Sequence, residues 1–545
     1  LSDRLVARKN QAIFAVAALG VVLARLIEWK ALGDVPHVMD EIAYAFQART
    51  MASGHLSMPV ALPRAAFALW FVDDRTSRFS IFPPGWPAVL ALGLRVHAAT
   101  WVNPLLHGGT VLVVATIARK VAGTRAQVAA AVAYAFSPQA LILAASLMSH
   151  TLVAFGAALA LYAGVSEPRR KTLLLGGSAI GLVLLARPLC GVVVGAGFAA
   201  LAFLSVVRER ASAARFAIAL VPLVFACALL GAYNDALTGD PLRFPQTVWF
   251  DEHAPPLDTT FFRYAPGCNR LGFGPGHGCD EGIKNATHSI ANALSNTGDN
   301  LTSWFLLAGG GPLVFLCFGF ALAQRRGRVL ALGVPVLATV ALYALYWYAG
   351  TCYGARFYHA ALPSLILLGA FGAVRIWRRS THAFAAMSVL WLGANGVALG
   401  AALGELSDRY WGVDARFESA DRFPPGNSLV MVAFKTDGVA MHHLRWTGFT
   451  SPDSKSRWRN SVRALSALTL NAPSDDGPLV FAKYHPAMVD DLRARFPNHV
   501  LYIYILGDRP EADQLAPYEG SVVSKIDRVT VWPRDNFDGY VVPEL

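Results

Sequence analysis

Charge is scarce in this sequence. Only 15% of its 545 residues are Asp, Glu, Lys or Arg, where soluble domains carry about 25%. With 54% hydrophobic residues and a mean hydropathy of +0.42, that shortage excludes a disordered chain, a coiled coil and an ordinary soluble enzyme as the whole molecule. Internal repeats and low-complexity segments are missing too, and a collagen is excluded. Six cysteines are too few for a disulfide scaffold. His and Cys spacing of the zinc type is absent.

What is present is a ladder of apolar runs. A membrane helix needs roughly 17–25 mostly apolar residues. Such runs lie at about 11–29, 102–118, 126–145, 151–166, 172–187, 189–207, 216–233, 303–323, 329–348, 360–376 and 382–404. The expected fold is therefore an α-helical polytopic membrane protein with about 11 transmembrane helices. The runs at 172–187 and 189–207 can also pair as a broken or re-entrant element. The shorter stretch 86–99 carries Arg95 and His97 and reads as a juxtamembrane helix lying in the interface.

The net charge of +11, from 47 Lys+Arg against 36 Asp+Glu, taken alone fits nucleic acid or an anionic surface. The position of the charges decides otherwise. Basic residues in short loops stay in the cytoplasm. With a cytoplasmic N-terminus, six segments face inward, each with three basic residues: Arg4, Arg8 and Lys9; Arg119, Lys120 and Arg125; Arg169, Arg170 and Lys171; Arg208, Arg210 and Arg215; Arg325, Arg326 and Arg328; Arg375, Arg378 and Arg379. Their acids are only Asp3, Glu167 and Glu209. The excess is an orientation signal, and no nucleic-acid partner is expected.

Three parts then face outward: loops of about 30–101 and 234–302, and a tail from 405. The expected domains are a transmembrane module over 1–404 and an extracytoplasmic α/β domain over 405–545. In the tail, strand-like segments at 429–434, 479–484, 500–506 and 529–532 alternate with helical patterns such as 486–496. Cys268 and Cys279 flank a Gly-rich hairpin in the second loop and are expected to form a disulfide outside the cytoplasm.

The first outer loop opens with HVMDEIAYAFQARTMASGHL. Asp40 and Glu41 are adjacent acids, with Tyr44 and Gln47 following at helical spacing. The plainer reading is a helix start, with Asp40 as N-cap and Glu41 in the first turn. Further on, Arg75 and Arg78 stand near Asp73 and Asp74, before a Pro83-Pro84-Gly85 turn; a solvated charge cluster is the plainer reading there. Two arginines fall at outer span ends: Arg187 in LLARPLCG and Arg356 in CYGARFYH, the latter beside Tyr353 and His359. His150 lies at another. Ionisable groups at such depth are costly and so are functional candidates, although snorkelling to the interface also accounts for them. Asp251 and Glu252 form a second acid pair in the second loop.

The DE pair after the first span, the following Y-x-x-Q-A, the PPG-x-P turn, YNDALTGDPLRFP at 233–245 and YGARFYHAALP at 353–363 together resemble the bacterial GT-C membrane glycosyltransferases. The similarity is to the glycosyltransferase 39 or ArnT-like group, which includes protein O-mannosyltransferases. The resemblance covers roughly residues 1–400. It implies an enzyme of the bacterial cytoplasmic (inner) membrane that moves a sugar from a polyprenyl-phosphate donor to a glycan, lipid or protein acceptor at the outer face, with inversion. It also implies Asp40 as general base, and Glu41 as a residue that orients the acceptor or helps bind a divalent cation such as magnesium or manganese. Arg187, Arg356, Tyr353, His359 and His150 become candidates for the donor phosphate. Tyr44, Gln47, Arg75, Arg78, Asp251 and Glu252 become candidates for acceptor or loop contacts. Two other classes stay open: a transporter or lipid flippase, and a non-catalytic scaffold. A transporter more often shows repeats and broken polar helices at the midplane.

Overall fold

A computed structural model describes residues 2–253, 290–323, 326–346, 352–408, 417, 423–424, 426–435, 465–472, 474, 477–507, 513–518 and 529–530. Cys268 and Cys279 lie outside the described residues, as do the side chains of Asp251 and Glu252.

The chain is a bundle of apolar helices with a small sheet against one end. In order, the helices are α1 (Ser2–Ala31), α2 (Met39–Ala52), α3 (Arg64–Phe67), α4 (Gly85–Arg95), α5 (Ala99–Ala122), α6 (Thr124–Ala135), α7 (Pro138–Ala144), α8 (His150–Val165), α9 (Arg170–Ala186) and α10 (Pro188–Glu209). Then follow α11 (Ala217–Thr238), α12 (Pro245–His253), α13 (Ile290–Leu307), α14 (Pro312–Leu322), α15 (Gly327–Ala344), α16 (Leu362–Arg379), α17 (Thr381–Asp408) and α18 (Val489–Arg495). Among the described residues, seven helices are long and apolar enough to cross a membrane, eight if the bent pair α6–α7 counts as one span. The molecule is a multi-pass membrane protein.

Every apolar run of the sequence holds helix, but two runs are not single rods. The run 126–145 bends by 54° between α6 and α7, where Pro138 opens a new helix and Ser137 caps it by accepting from the Ala140 N–H. The run 303–323 is split between α13 and α14. Gly309, Gly310 and Gly311 stand there at φ 140°, 81° and 58°, values that side chains with a Cβ rarely adopt. The runs ending at 187 and beginning at 189 form two helices meeting at Arg187-Pro188.

Small residues let the bundle close. A Cβ on Gly372 of α16 would run into the Cys317 carbonyl of α14, so those backbones touch directly. The expected interfacial stretch forms α4, packed on α2 and α5. Gly85 at its start lies against the Leu185–Ala186 backbone, with no room for a Cβ. The PPG turn is thereby seated on the end of α9, one residue before Arg187.

In the tail, β3 (Ser428–Lys435) is flanked by parallel β4 (Leu479–Lys483) and parallel β5 (Val500–Leu506). These follow β1 (Val72–Asp73) and β2 (Phe79–Ser80), a short antiparallel pair in the first loop. On the far side of β5 runs antiparallel β6 (Gln514–Pro517), which the sequence pattern does not announce. Beyond the end of β4, β7 (Val529–Thr530) pairs antiparallel with Phe434 and Lys435. Residues 429–433 are fully buried, as expected of a central parallel strand covered on both faces. Leu429, Met431 and Ala433 join a core with Phe67 of α3, while Val430 and Val432 join another with Phe417, Phe423 and Tyr504.

The three segments that the charge pattern assigns to one side do meet. The Phe67 ring of the first loop lies 6.2 Å from that of Phe496, tilted by 51°, and Arg495 donates to the Leu62 carbonyl at 2.8 Å. Trp70 of the first loop lies 6.1 Å from Trp249 of α12.

Candidate functional site

The two adjacent acids have opposite fates. Neighbours on a helix project about 100° apart, so the N-terminus of α2 turns one carboxylate inward and leaves the other partly exposed. Glu41 is 1% exposed. Its Oε2 accepts from the His37 N–H at 2.7 Å, the Val38 N–H at 3.2 Å and the Tyr353 hydroxyl at 3.1 Å. Its Oε1 accepts from the Leu147 N–H at 2.8 Å. Burial pushes this carboxyl above its usual range, while charge at His37 and these hydrogen bonds pull the other way. Glu41 caps α2 and ties three distant segments together. The capping role read for Asp40 therefore falls to Glu41; the N-cap position itself is Val38.

Asp40 keeps 18% of its side chain exposed, and its Oδ2 lies 3.6 Å from a guanidinium nitrogen of Arg356, itself only 6% exposed. Arg356 opens a 3-10 turn, Arg356–Ala361. Tyr353 and Gly354 precede it at φ 56° and 76°, and this left-handed pair reverses the chain. Gln139 holds the reversal by donating to the Tyr353 carbonyl at 2.9 Å. One turn therefore delivers the Tyr353 hydroxyl to Glu41 and the Arg356 guanidinium to Asp40.

Arg187 arrives from the α9–α10 junction. It donates to Ser149 Oγ at 3.5 Å, and Ser149 Oγ lies 3.2 Å from the Tyr44 hydroxyl. Burial pushes the Tyr44 phenol up, and the nearby Arg187 pulls it back. Both arginines lie over Phe357, each guanidinium carbon 5.2 Å from its ring centroid. His150 is adjacent, 6.3 Å from the same ring. Asp40, Arg356, Arg187, Tyr44 and His150 thus share one locus. His359, three residues along the turn, is buried; among the described residues neither imidazole shows a hydrogen bond at its ring nitrogens.

The surrounding frame comes from residues the sequence did not single out. Trp86 of α4 donates from Nε1 to the Leu147 carbonyl at 2.8 Å, opposite the N–H that Glu41 accepts. Asn103 of α5 donates to the Ser146 and Met148 carbonyls at 2.6 and 3.0 Å. Residues 146–148 are thereby clamped just before Ser149 and His150. Asn103 carried a legible signal, a buried amide early in an apolar run; Trp86, Ser149 and Phe357 carried none.

Other candidates are committed elsewhere. Gln47 donates to the Leu56 carbonyl and accepts from the Ser80 N–H, both at 2.7 Å, bracing the loop. Arg75 pairs with Asp73 at 2.6 Å. Arg78 is buried, donates to the Phe67 carbonyl at 3.0 Å and lies over Phe46. The Tyr353 hydroxyl goes to Glu41. The acid pair does not fit a divalent cation as arranged, because both Glu41 oxygens already accept from N–H or O–H donors. Among the described residues no cluster of three or more His, Cys, Asp or Glu has a metal-holding arrangement.

No family model matches the sequence, and no curated protein does. Solved structures do match. An oligosaccharyltransferase from Archaeoglobus fulgidus is similar at a TM-score of 0.40 and 13% identity, over 82% of this chain and 64% of that one. ArnT from Cupriavidus metallidurans is similar at a TM-score of 0.51, bound to undecaprenyl phosphate (15% identity) and in the apo state (14% identity), over 90% of this chain and 93% of that one. The chain has the GT-C fold of ArnT.

Proposed function

We propose that the protein transfers a sugar from a polyprenyl-phosphate donor to a nucleophile on a glycan, lipid or protein acceptor. The observation that carries this reading is the juxtaposition of a partly exposed carboxylate, Asp40, with Arg356 at 3.6 Å and with Arg187, which lies over the same Phe357 ring as Arg356. Displacement at an anomeric carbon needs a base for the incoming hydroxyl and cations for the departing phosphate. Asp40 takes the acceptor proton. The acceptor oxygen attacks the face opposite the leaving group, which inverts the centre. Arg356 and Arg187 hold the growing negative charge on the lipid phosphate, and the fork of each guanidinium suits paired hydrogen bonds to it. ArnT, which shares the fold, is itself known with undecaprenyl phosphate bound.

Glu41, Trp86 and Asn103 are positioning residues. They fix the α2 start and the 146–148 segment so that Asp40, Tyr44 and Ser149 keep their places. In this reading the N-terminus is cytoplasmic, the membrane is a bacterial inner membrane, and the site and the tail lie outside; the basic residues of the short connections support that orientation. The tail, packed on α3, steadies the first loop.

The test separates a transferase from a transporter. Membranes of a strain lacking the protein hold unused donor and unmodified acceptor. Purified protein added to those membranes, opened by detergent, should give an acceptor heavier by one sugar and release polyprenyl phosphate, both read by mass spectrometry. A transporter forms no covalent bond in opened membranes, so the absence of any mass gain would sink the proposal.

A further inference from the structure

At the end of the bundle away from Asp40 lies a cavity of about 710 Å³. Its arginines come from three separate segments: Arg208 from α10, Arg326 and Arg328 from the start of α15, and Arg375 and Arg378 from the last turns of α16. Its apolar floor includes Leu204 and Phe371. No Asp or Glu is among the described lining residues. The far ends of these same helices carry Arg187, Tyr343 and the Arg356 turn, so α10, 22 residues long, separates the two sites by about 30 Å.

Orientation alone does not require this convergence. A topology signal needs basic residues in each loop, not guanidinium groups from three loops around one apolar-floored cavity. The packing is specific too. A Cβ on Gly327 would run into the Arg208 guanidinium, so glycine there seats that side chain. Arg375 is anchored by donating to the Phe320 carbonyl at 3.3 Å. Several like charges around one cavity repel one another, and an anion seated among them removes that cost.

We infer that Arg208, Arg326, Arg375 and Arg378 form a binding site for the phosphate headgroup of an anionic phospholipid of the inner leaflet. Phosphate matches the arginine fork. A free phosphate offers the same chemistry, but the apolar floor at the ends of membrane spans favours the lipid, whose acyl chains can cover it. Basic pockets between membrane helices on the cytoplasmic side recognise headgroups in this way. The inference does not depend on the transferase reading.

The test uses the full chain purified in detergent, with native mass spectrometry and thermal melting. The probes are phosphatidylglycerol, phosphatidylcholine and inorganic phosphate. Wild type should retain phosphatidylglycerol in preference to phosphatidylcholine and melt higher with it. The triple variant Arg208→Gln, Arg326→Gln, Arg375→Gln should bind phosphatidylglycerol about a hundredfold more weakly, at about fivefold per arginine. Those arginines also orient the chain, so a second variant keeps every charge: Ala323→Trp, at a lining position, fills the cavity and should weaken binding about tenfold or more. Equal retention of the two lipids by wild type overturns the proposal, and so does Ala323→Trp binding like wild type. Inorganic phosphate that alone raises the melting temperature as much as phosphatidylglycerol does would replace the lipid with a free anion and overturn it as well.

Discussion

At one end of the bundle Arg187 and Arg356 both lie over Phe357, with Asp40 3.6 Å from Arg356 and Ser149 within reach of Arg187. At the other end, arginines ring a cavity with no acid among its described lining residues. The cation is the same; the company differs. A guanidinium set beside a carboxylate and a hydroxyl can serve chemistry in which a proton moves as a phosphate departs. Guanidinium groups around an apolar floor can only hold an anion. The number of basic residues therefore says little about an end of this molecule, and the partner groups say most.

The contrast can be strained first at the frame. Glu41→Ala removes a buried carboxylate and strands three N–H donors and the Tyr353 hydroxyl. It should cost about 3 kcal/mol of stability and lower the melting temperature in detergent. Arg169→Ala, at an exposed connection of the opposite end with its partner Glu167 two residues away, should stay within about 0.5 kcal/mol. Equal melting of the two variants would mean that Glu41 does not brace the site.

A second strain falls on the cations. Arg356→Ala should raise the donor concentration needed for half-maximal transfer about tenfold or more, the scale of one lost charge-assisted contact to phosphate. Arg169→Ala should leave it within about twofold. A titration with the lipid donor reads both, and an unchanged value for Arg356→Ala would remove that residue from the site.

The smallest effect concerns the seam between first loop and tail. Asp74 is buried there, facing Arg78, Lys483, Asp73 and Arg64, and burial pushes its carboxyl up to about 7 from an ordinary 3.8. The folded state then holds a proton that the unfolded chain has released. Stability from this group is present below about pH 4 and is lost as pH rises to about 7. Melting should drop a few degrees between pH 5 and pH 8, and Asp74→Asn should flatten that slope. A slope unchanged in the variant would move the effect to another group.

Much of this was legible in the sequence. The apolar runs hold helices, and the strand patterns at 429–434, 479–484 and 500–506 match β3, β4 and β5. Arg187 and Arg356 stood out because charge at the end of an apolar run is expensive, and Asp40 because the DE pair resembles the leading acids of the GT-C group. What stayed hidden depends on contacts across the fold. Nothing local says which acid of the pair turns inward; Glu41 does so because Leu147 and Tyr353, 106 and 312 residues away, offer it donors. Gln47, Arg75 and Arg78 looked like acceptor contacts because their partners, mostly loop backbone and one neighbouring acid, acquire their places only on folding. Phe357 and Trp86 are apolar in an apolar sequence and carry no contrast. The break in 303–323 was spelled by three glycines, yet hydropathy averages across them.

The central claim is that Asp40 performs the proton transfer that the arginines accompany. Its most direct test is glycosyl transfer by purified Asp40→Asn, with the donor and acceptor of the opened membranes and with melting temperature and donor binding measured alongside. Transfer should fall about 10²- to 10⁴-fold while the fold and lipid-donor affinity are kept. Transfer within about threefold of wild type would contradict the account.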